Sequence, residues 1–274
     1  MRIQTIWHMI YSDFLMPNRL WEYEKLLRLA IGKGYEIHSV ISFWREIQSA
    51  RPGVGRPRLV LRHDIDSDVS TAKAIAAIER DLGVRSSFYF RLSTVDVPFM
   101  RSIEASGSEA SYHYEEIATV AKHSFGIRHP SQIAEVLPAA RQMFANNLTR
   151  LRQLTGLPML TVAAHGDFVN RALGVQNQLL LQDYQLRQHL NILVEAYDEE
   201  LMRPVTARYS DHPYPEFWMP TSPLKALEEG ADAVYILTHP KRWRASWTAN
   251  IGLLGSRVWE GLRYSAGNLL SRKA

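Results

Sequence analysis

The chain has 274 residues and no cysteine, which excludes disulfides, thiolate metal sites and a cysteine nucleophile. Its net charge is +4, yet residues 240–274 hold seven Lys and Arg against one acid, so the rest of the chain is slightly negative. A basic nucleic-acid groove through the main body is thereby excluded, and the length suffices for a core that needs no covalent staple.

The N-terminal run MRIQTIWHMIYSDFLM is broken by His8, Ser12 and Asp13, so no signal-peptide core is expected. No stretch reaches ~18 apolar residues, and no transmembrane helix is expected. These readings point to a cytoplasmic protein that meets its substrate inside the cell or at the inner face of a membrane, although a cysteine-free chain suits the periplasm equally.

Residues 19–32 predict a helix, because Leu20, Tyr23, Leu26, Leu27 and Ala30 recur at helical spacing and Gly32 and Gly34 close it. Residues 35–40 read as a strand, 43–49 as a short helix and 51–57 as a Gly/Pro/Arg-rich loop. Leu59, Val60 and Leu61 form a buried strand that delivers Arg62-His63-Asp64-Ile65-Asp66. A helix over 69–82, a strand over 86–90 and a helix over 98–105 follow. A strand over 109–112 then ends at His113. The longest helix, 131–154, places Ile133, Val136, Leu137, Ala140, Phe144, Leu148 and Leu151 on one face and stops at Gly156 and Pro158. Residues 159–164 form a strand ending at His165-Gly166. Weaker strands follow over 192–196 and 206–209, and a strong one over 233–237 ends at His239-Pro240. This alternation predicts an α/β fold with a mainly parallel sheet.

Four apolar strands therefore end in titratable residues: Asp64 with Asp66, His113, His165 and His239. Parallel strands share a direction, so these ends converge on one rim. Asp64 and Asp66 point the same way in an extended chain, and two adjacent carboxylates call for a cation between or beside them. They also read as caps of the next helix, with Asp66, Ser67 or Asp68 at the N-cap. His113, flanked by Tyr112, Tyr114, Glu115 and Glu116, reads as a metal ligand or as a histidine packed between tyrosines. His165, before Gly166 and Asp167, reads as a ligand or as part of a tight turn. His239 reads as a general acid or as a rim histidine satisfied by backbone.

In this order, HDID at 63–66, GSEASYHYEE at 107–116, AAHGDF at 163–168 and LTHP at 237–240 resemble the motifs of the polysaccharide deacetylase, or NodB-homology, superfamily over residues 20–243. The resemblance implies a single-domain distorted (β/α) barrel over 1–243, followed by a basic helical tail over 244–274. It implies a metal-dependent hydrolase that removes an N-acetyl or N-formyl group from an amino sugar or lipid-linked glycan, during surface polysaccharide or lipopolysaccharide O-antigen synthesis. Asp64 resembles the family's general base, Asp66 its metal-binding aspartate, His113 its first histidine ligand and His239 its late general acid. The second-motif position that usually carries another histidine is Ile117, which leaves the third ligand open. His165 is the first choice for it and Glu115 the second, around a divalent ion of the Zn, Co or Ni kind. The usual Arg-x-Pro is missing, so Arg62 and Arg91 are the candidates to orient the base. Tyr112, Tyr114, Trp218 and Trp243 are candidates to stack on sugar rings, or else core residues, and Asp167 is a further candidate ligand or substrate contact.

Two other functions stay open: a metal-free amidase on the same scaffold, and a degenerate, glycan-binding protein. In the tail, Trp247, Ile251, Leu254, Val258 and Leu262 follow helical spacing beside Arg257 and Arg263. This reads as an interfacial helix on an anionic membrane, or as a helix packed on the barrel or on a second copy.

Overall fold

The computed structural model describes residues 7–8, 10–49, 55–123, 129–247 and 250–251. Most of the expected tail therefore lies outside the described residues. At its start, the Trp247 ring meets Phe14 edge-on at 5.3 Å, and Asn250 donates to the Asp13 carbonyl.

Among the described residues, nine strands form one sheet: β1 (Glu36–His38), β2 (Arg58–Ile65), β3 (Ser87–Phe90), β4 (Glu109–Tyr114), β5 (Thr161–Ala164), β6 (Val194–Glu195), β7 (Ala207–Asp211), β8 (Trp218–Met219) and β9 (Ala233–Thr238). Their order is β6-β5-β4-β3-β2-β9-β7-β8. Every pairing is parallel except β7 with β8. The sheet curls as a partial, distorted (β/α) barrel. β2 is its centre. On one edge it pairs with β9, and on the other with β1 along its first half and β3 along its second.

The helices are α1 (Leu20–Gly32), α2 (Val40–Gln48), α3 (Val69–Asp81), α4 (Val97–Ala105), α5 (Glu116–His123), α6 (Ile133–Thr155), α7 (Phe168–Leu173), α8 (Tyr184–His189), α9 (Glu199–Met202) and α10 (Leu224–Glu228). Among the described residues, none is long and apolar enough to cross a membrane.

Side chains alternate across a strand, so each strand serves two environments. Leu59, Leu61 and Ile65 of β2 join Phe88, Phe90, Tyr112, Val162 and Ile236 in the core beneath α1, α3, α4 and α6. Val60 faces the other way, with Tyr89, Ala163, Val194 and Tyr235, in a smaller cluster closed by Val40, Phe43, Leu201 and Met202. Arg62 and Asp64 share the Val60 parity and continue that interior face toward the strand ends.

Three expectations are corrected. The strand expected over 59–61 runs on through 62–65 as the second half of β2, because Arg62 to Ile65 pair with Ser87 to Phe90. β4 likewise runs through His113 to Tyr114, held by β5. The strand expected over 206–209 extends to Asp211.

Candidate active site

The site is built at the C-terminal ends of β2, β4, β5, β7 and β9. Asp66 follows β2 directly, and its neighbourhood is fixed by Thr94, whose hydroxyl donates to the Ile65 carbonyl at 2.8 Å. Asp68 caps α3 by accepting from the Thr71 amide at 3.0 Å, so capping falls to Asp68 and leaves Asp64 and Asp66 for the site.

Asp66, His113 and His165 converge. Asp66 Oδ1 lies 3.2 Å from His165 Nδ1 and 3.6 Å from His113 Nε2, and the two ring nitrogens are 3.2 Å apart. The other nitrogen of His113, Nδ1, faces the Ala163 carbonyl at 3.0 Å. A carbonyl only accepts, so Nδ1 carries the proton and the Nε2 lone pair points into the cluster. Asn177 fixes the His165 backbone by donating to its carbonyl at 2.6 Å. Asp66 Oδ1 is buried and makes no hydrogen bond. An orphaned carboxylate oxygen facing two imidazole nitrogens is a two-nitrogen, one-oxygen donor set that fits a divalent transition metal and leaves further coordination positions open.

Asp64 lies beside this cluster, with Oδ2 3.3 Å from His113 Nε2. Arg62, fully buried, donates to both Asp64 oxygens at 2.8 Å and lies 4.3 Å from the Tyr197 ring. Burial alone would push the Asp64 carboxyl up, but the Arg62 guanidinium beside it holds it below the usual range. Asp64 is thus an ionised carboxylate in a dry setting. Burial also opposes ionisation of Asp66, but the carboxyl is held well below the usual range, with the Lys241 ammonium at 3.0 Å the largest opposing influence.

Across the site stands His239. Its Nδ1 faces Asp211 Oδ1 at 2.7 Å, and its backbone N–H donates to Asp211 Oδ2 at 2.7 Å. Asp211 also accepts from Trp243 Nε1 at 3.0 Å and from Arg242 at 3.1 Å. Burial would raise the Asp211 carboxyl, but His239 and Arg242 keep it low. A carboxylate only accepts, so Nδ1 of His239 carries a proton and the ring is oriented with Nε2 free.

A cavity of about 470 Å³ opens beside His165. Asn170, Arg171, Gln176, Asn177, Gln178 and Tyr197 contribute to its wall. It matches the lower part of the size range of small-molecule sites.

No protein-family model matches the chain, and no curated protein matches it. Among solved structures, the chain is similar to the Streptococcus pyogenes deacetylase PplD in complex with acetate. That likeness has 11% identity and a TM-score of 0.43, covering 80% of this chain and 83% of that one. It is also similar to a mutant of BA3943, a CE4 family pseudoenzyme with restored enzymatic activity. Here the identity is 11% and the TM-score 0.37, over 77% of this chain and 65% of that one. Such distant likenesses transfer no residue role, and the chemistry of this site rests on its own geometry.

The remaining expected residues divide. Arg62 orients Asp64, whereas Arg91 is paired with Glu115 at 2.7 Å and touches the site only through the Asp66 carbonyl at 3.4 Å. Glu115 is thereby drawn away from the Asp66 cluster. Asp167 caps α7 by accepting from the Val169 amide and pairs with Lys122 at 3.0 Å, so it serves as scaffold. Tyr112 and Trp243 are 1% and 2% exposed and are corrected as sugar-stacking residues. Tyr112 packs on Phe144 and Trp243 on Tyr23, with its indole N–H given to Asp211. Tyr114 is also buried, and Trp218 lies edge-on to Trp243 at 5.6 Å.

Sequence reasoning missed Asp211 and Lys241. Asp211 ends a strand that looked weak because its residues, ARYSD, are only partly apolar. The available signal was an acid at one more parallel strand end. Lys241 sat in a run of basic residues that read as the start of the tail.

Proposed function

We propose that the chain is a metal-dependent hydrolase that removes an N-acyl group from an amino sugar. The observation that carries this reading is the donor cluster of Asp66, His113 and His165, set between an arginine-held carboxylate and an aspartate-held imidazole. A divalent ion in that cluster would supply Lewis acidity toward an amide carbonyl and a nearby water. Asp64, ionised and fixed by Arg62, accepts the proton of the attacking water. His239, with Asp211 on Nδ1, gives a proton from Nε2 to the departing amine. The cavity beside His165 has room for a sugar ring, and its amide side chains suit hydroxyl groups. The motif order supports acetyl or formyl as the acyl group, Zn, Co or Ni as the ion, and surface polysaccharide or lipopolysaccharide O-antigen synthesis at the inner face of the membrane as the setting.

The test is metal content by mass spectrometry of protein purified without chelator, beside Asp66→Ala and His113→Ala. About one divalent ion per chain is expected, lost in both variants. Loaded protein is then screened for amine release from N-acetyl and N-formyl sugars. A chain that takes up no ion when ions are added back would overturn the metal-dependent reading and favour a metal-free amidase.

A further inference from the structure

Lys241 stands two residues beyond His239, on the 3-10 turn Pro240–Arg242. Its ammonium lies 3.0 Å from Asp66 Oδ2, and its side chain is only 14% exposed. The turn that carries it is anchored on both sides. Pro240 is buried, and Arg242 and Trp243 both donate to Asp211. The two oxygens of Asp66 are therefore divided between tasks. Oδ1 faces His113 and His165, and Oδ2 faces Lys241.

An ammonium carries three N–H donors. Lys241 uses one on Asp66 and has no other ion pair or hydrogen bond among the described residues. The other cations around the site are committed elsewhere: Arg62 to Asp64, Arg91 to Glu115, Lys122 to Asp167 and Arg242 to Asp211. A nearly buried ammonium is a strong electrostatic partner for any charge that develops beside it.

We propose that Lys241 is a catalytic residue, with one N–H on Asp66 Oδ2 and a second donating to the oxyanion that develops on the scissile acyl group. The proposal rests on the amide-hydrolase reading above. In the step it serves, the water oxygen bonds to the acyl carbon while Asp64 takes one water proton. The carbonyl π pair moves onto oxygen, where Lys241 receives it without transferring a proton. On collapse that pair re-forms the carbonyl and the C–N bond breaks with its electrons going to nitrogen. The nitrogen takes the proton of His239, leaving a carboxylic acid and a free amine. The Asp64 proton returns through solvent. Acid and oxyanion donor are thus carried on one rigid turn and act on two substituents of the same carbon.

The test uses the Co(II)-loaded full chain, whose visible absorption reports ligand exchange, with acetate as the probe because it is the acyl product and carries a comparable negative oxygen. Wild type, Lys241→Met and Lys241→Arg are compared for Co(II) affinity, by chelator competition, and for acetate affinity. Acetate binding is expected to weaken about tenfold or more in Lys241→Met, the scale of a lost charged hydrogen bond. Lys241→Arg should restore most of it. Co(II) affinity should hold or tighten in Lys241→Met, since a positive charge beside Asp66 has gone. Unchanged acetate affinity, or no acetate binding by wild type, would overturn the role of Lys241 while leaving the metal centre intact. Co(II) affinity falling in step with acetate would overturn it too, reducing Lys241 to a support for Asp66. A wild-type chain that takes up no Co(II) would overturn the hydrolase reading and this role with it.

Discussion

The site pairs each reacting group with a buried partner of opposite charge. Asp64 depends on Arg62, and His239 on Asp211. Asp64→Asn and His239→Ala are each expected to lower turnover by ~10²–10⁴-fold with circular dichroism close to wild type; the thermal midpoint should hold in His239→Ala and fall in Asp64→Asn, which leaves Arg62 buried without its carboxylate. Equal turnover in both would remove their assignment. Loss of Arg62 likewise leaves Asp64 buried without a counter-charge. Arg62→Met should cost about 3–5 kcal/mol of stability in a denaturant titration. Arg62→Lys should not restore activity, since an ammonium cannot make the two parallel hydrogen bonds that orient the carboxylate. The sequence offered Arg62 and Arg91 alike as candidates to orient Asp64, in place of the missing Arg-x-Pro. It could not show that Arg91 is claimed by Glu115, since that pairing joins residues 24 apart in sequence, brought together by the fold.

Among the elements, β2 and β9 matter most, because these paired strands carry the proposed base and the proposed acid. Behind them, on the helix-facing side, His63 links the two strands. Its Nδ1 meets Thr238 Oγ1 at 2.6 Å, and its Nε2 meets Glu79 Oε1 at 2.9 Å. Glu79 in turn accepts from Tyr23 at 2.5 Å and from Ser86, just before β3, at 2.7 Å, so the network joins α1, α3, β2, β9 and the approach to β3. Thr238→Val conserves shape but leaves a fully buried imidazole nitrogen unsatisfied. It should cost about 1–3 kcal/mol in equilibrium unfolding, and a variant as stable as wild type would show that the link contributes nothing. The long apolar strands and α6 were legible because their periodicity is strong: Phe144, Leu148 and Leu151 do lie on the buried face. The region after β5 was not, because α7, α8 and α9 have six residues or fewer and bury little apiece. Helices that short are set by caps, here Asp167 and Asp183, more than by pattern. Strand ends were likewise misplaced where a polar motif continued the ladder, as at Arg62 to Ile65, since pairing with β3 overrides composition.

Over the whole molecule, the two ends of the barrel interior are chemically distinct. The rim holds the ionised site, while the opposite end holds Glu109, which accepts from Ser87 and Thr161 at 2.5 Å each. Burial pushes the Glu109 carboxyl up to about 7 from 4.5. In the unfolded chain it ionises near 4.5, so between there and about 7 the folded state alone keeps the proton, and stability falls as pH rises through that window. Glu109→Gln keeps the neutral form at every pH. Its stability relative to wild type should therefore rise across this window by up to about 3 kcal/mol, read from denaturant midpoints at several pH values. A constant difference would show that Glu109 ionises normally.

The wall of the cavity beside His165 has a further consequence. Apart from Tyr197, it comes from one continuous stretch, Ala164 to Gln178. The base, the acid and two of the three donors to the cluster stand on other strands. The stretch can therefore be treated as a cassette, held near its start by the Asp167 cap and near its end by Asn177, which donates to the His165 carbonyl. Exchanging residues 171–176, with Asn170 and Asn177 kept because they hold Asp167 and His165, is the way to change this wall without moving the donor cluster of the proposed hydrolase.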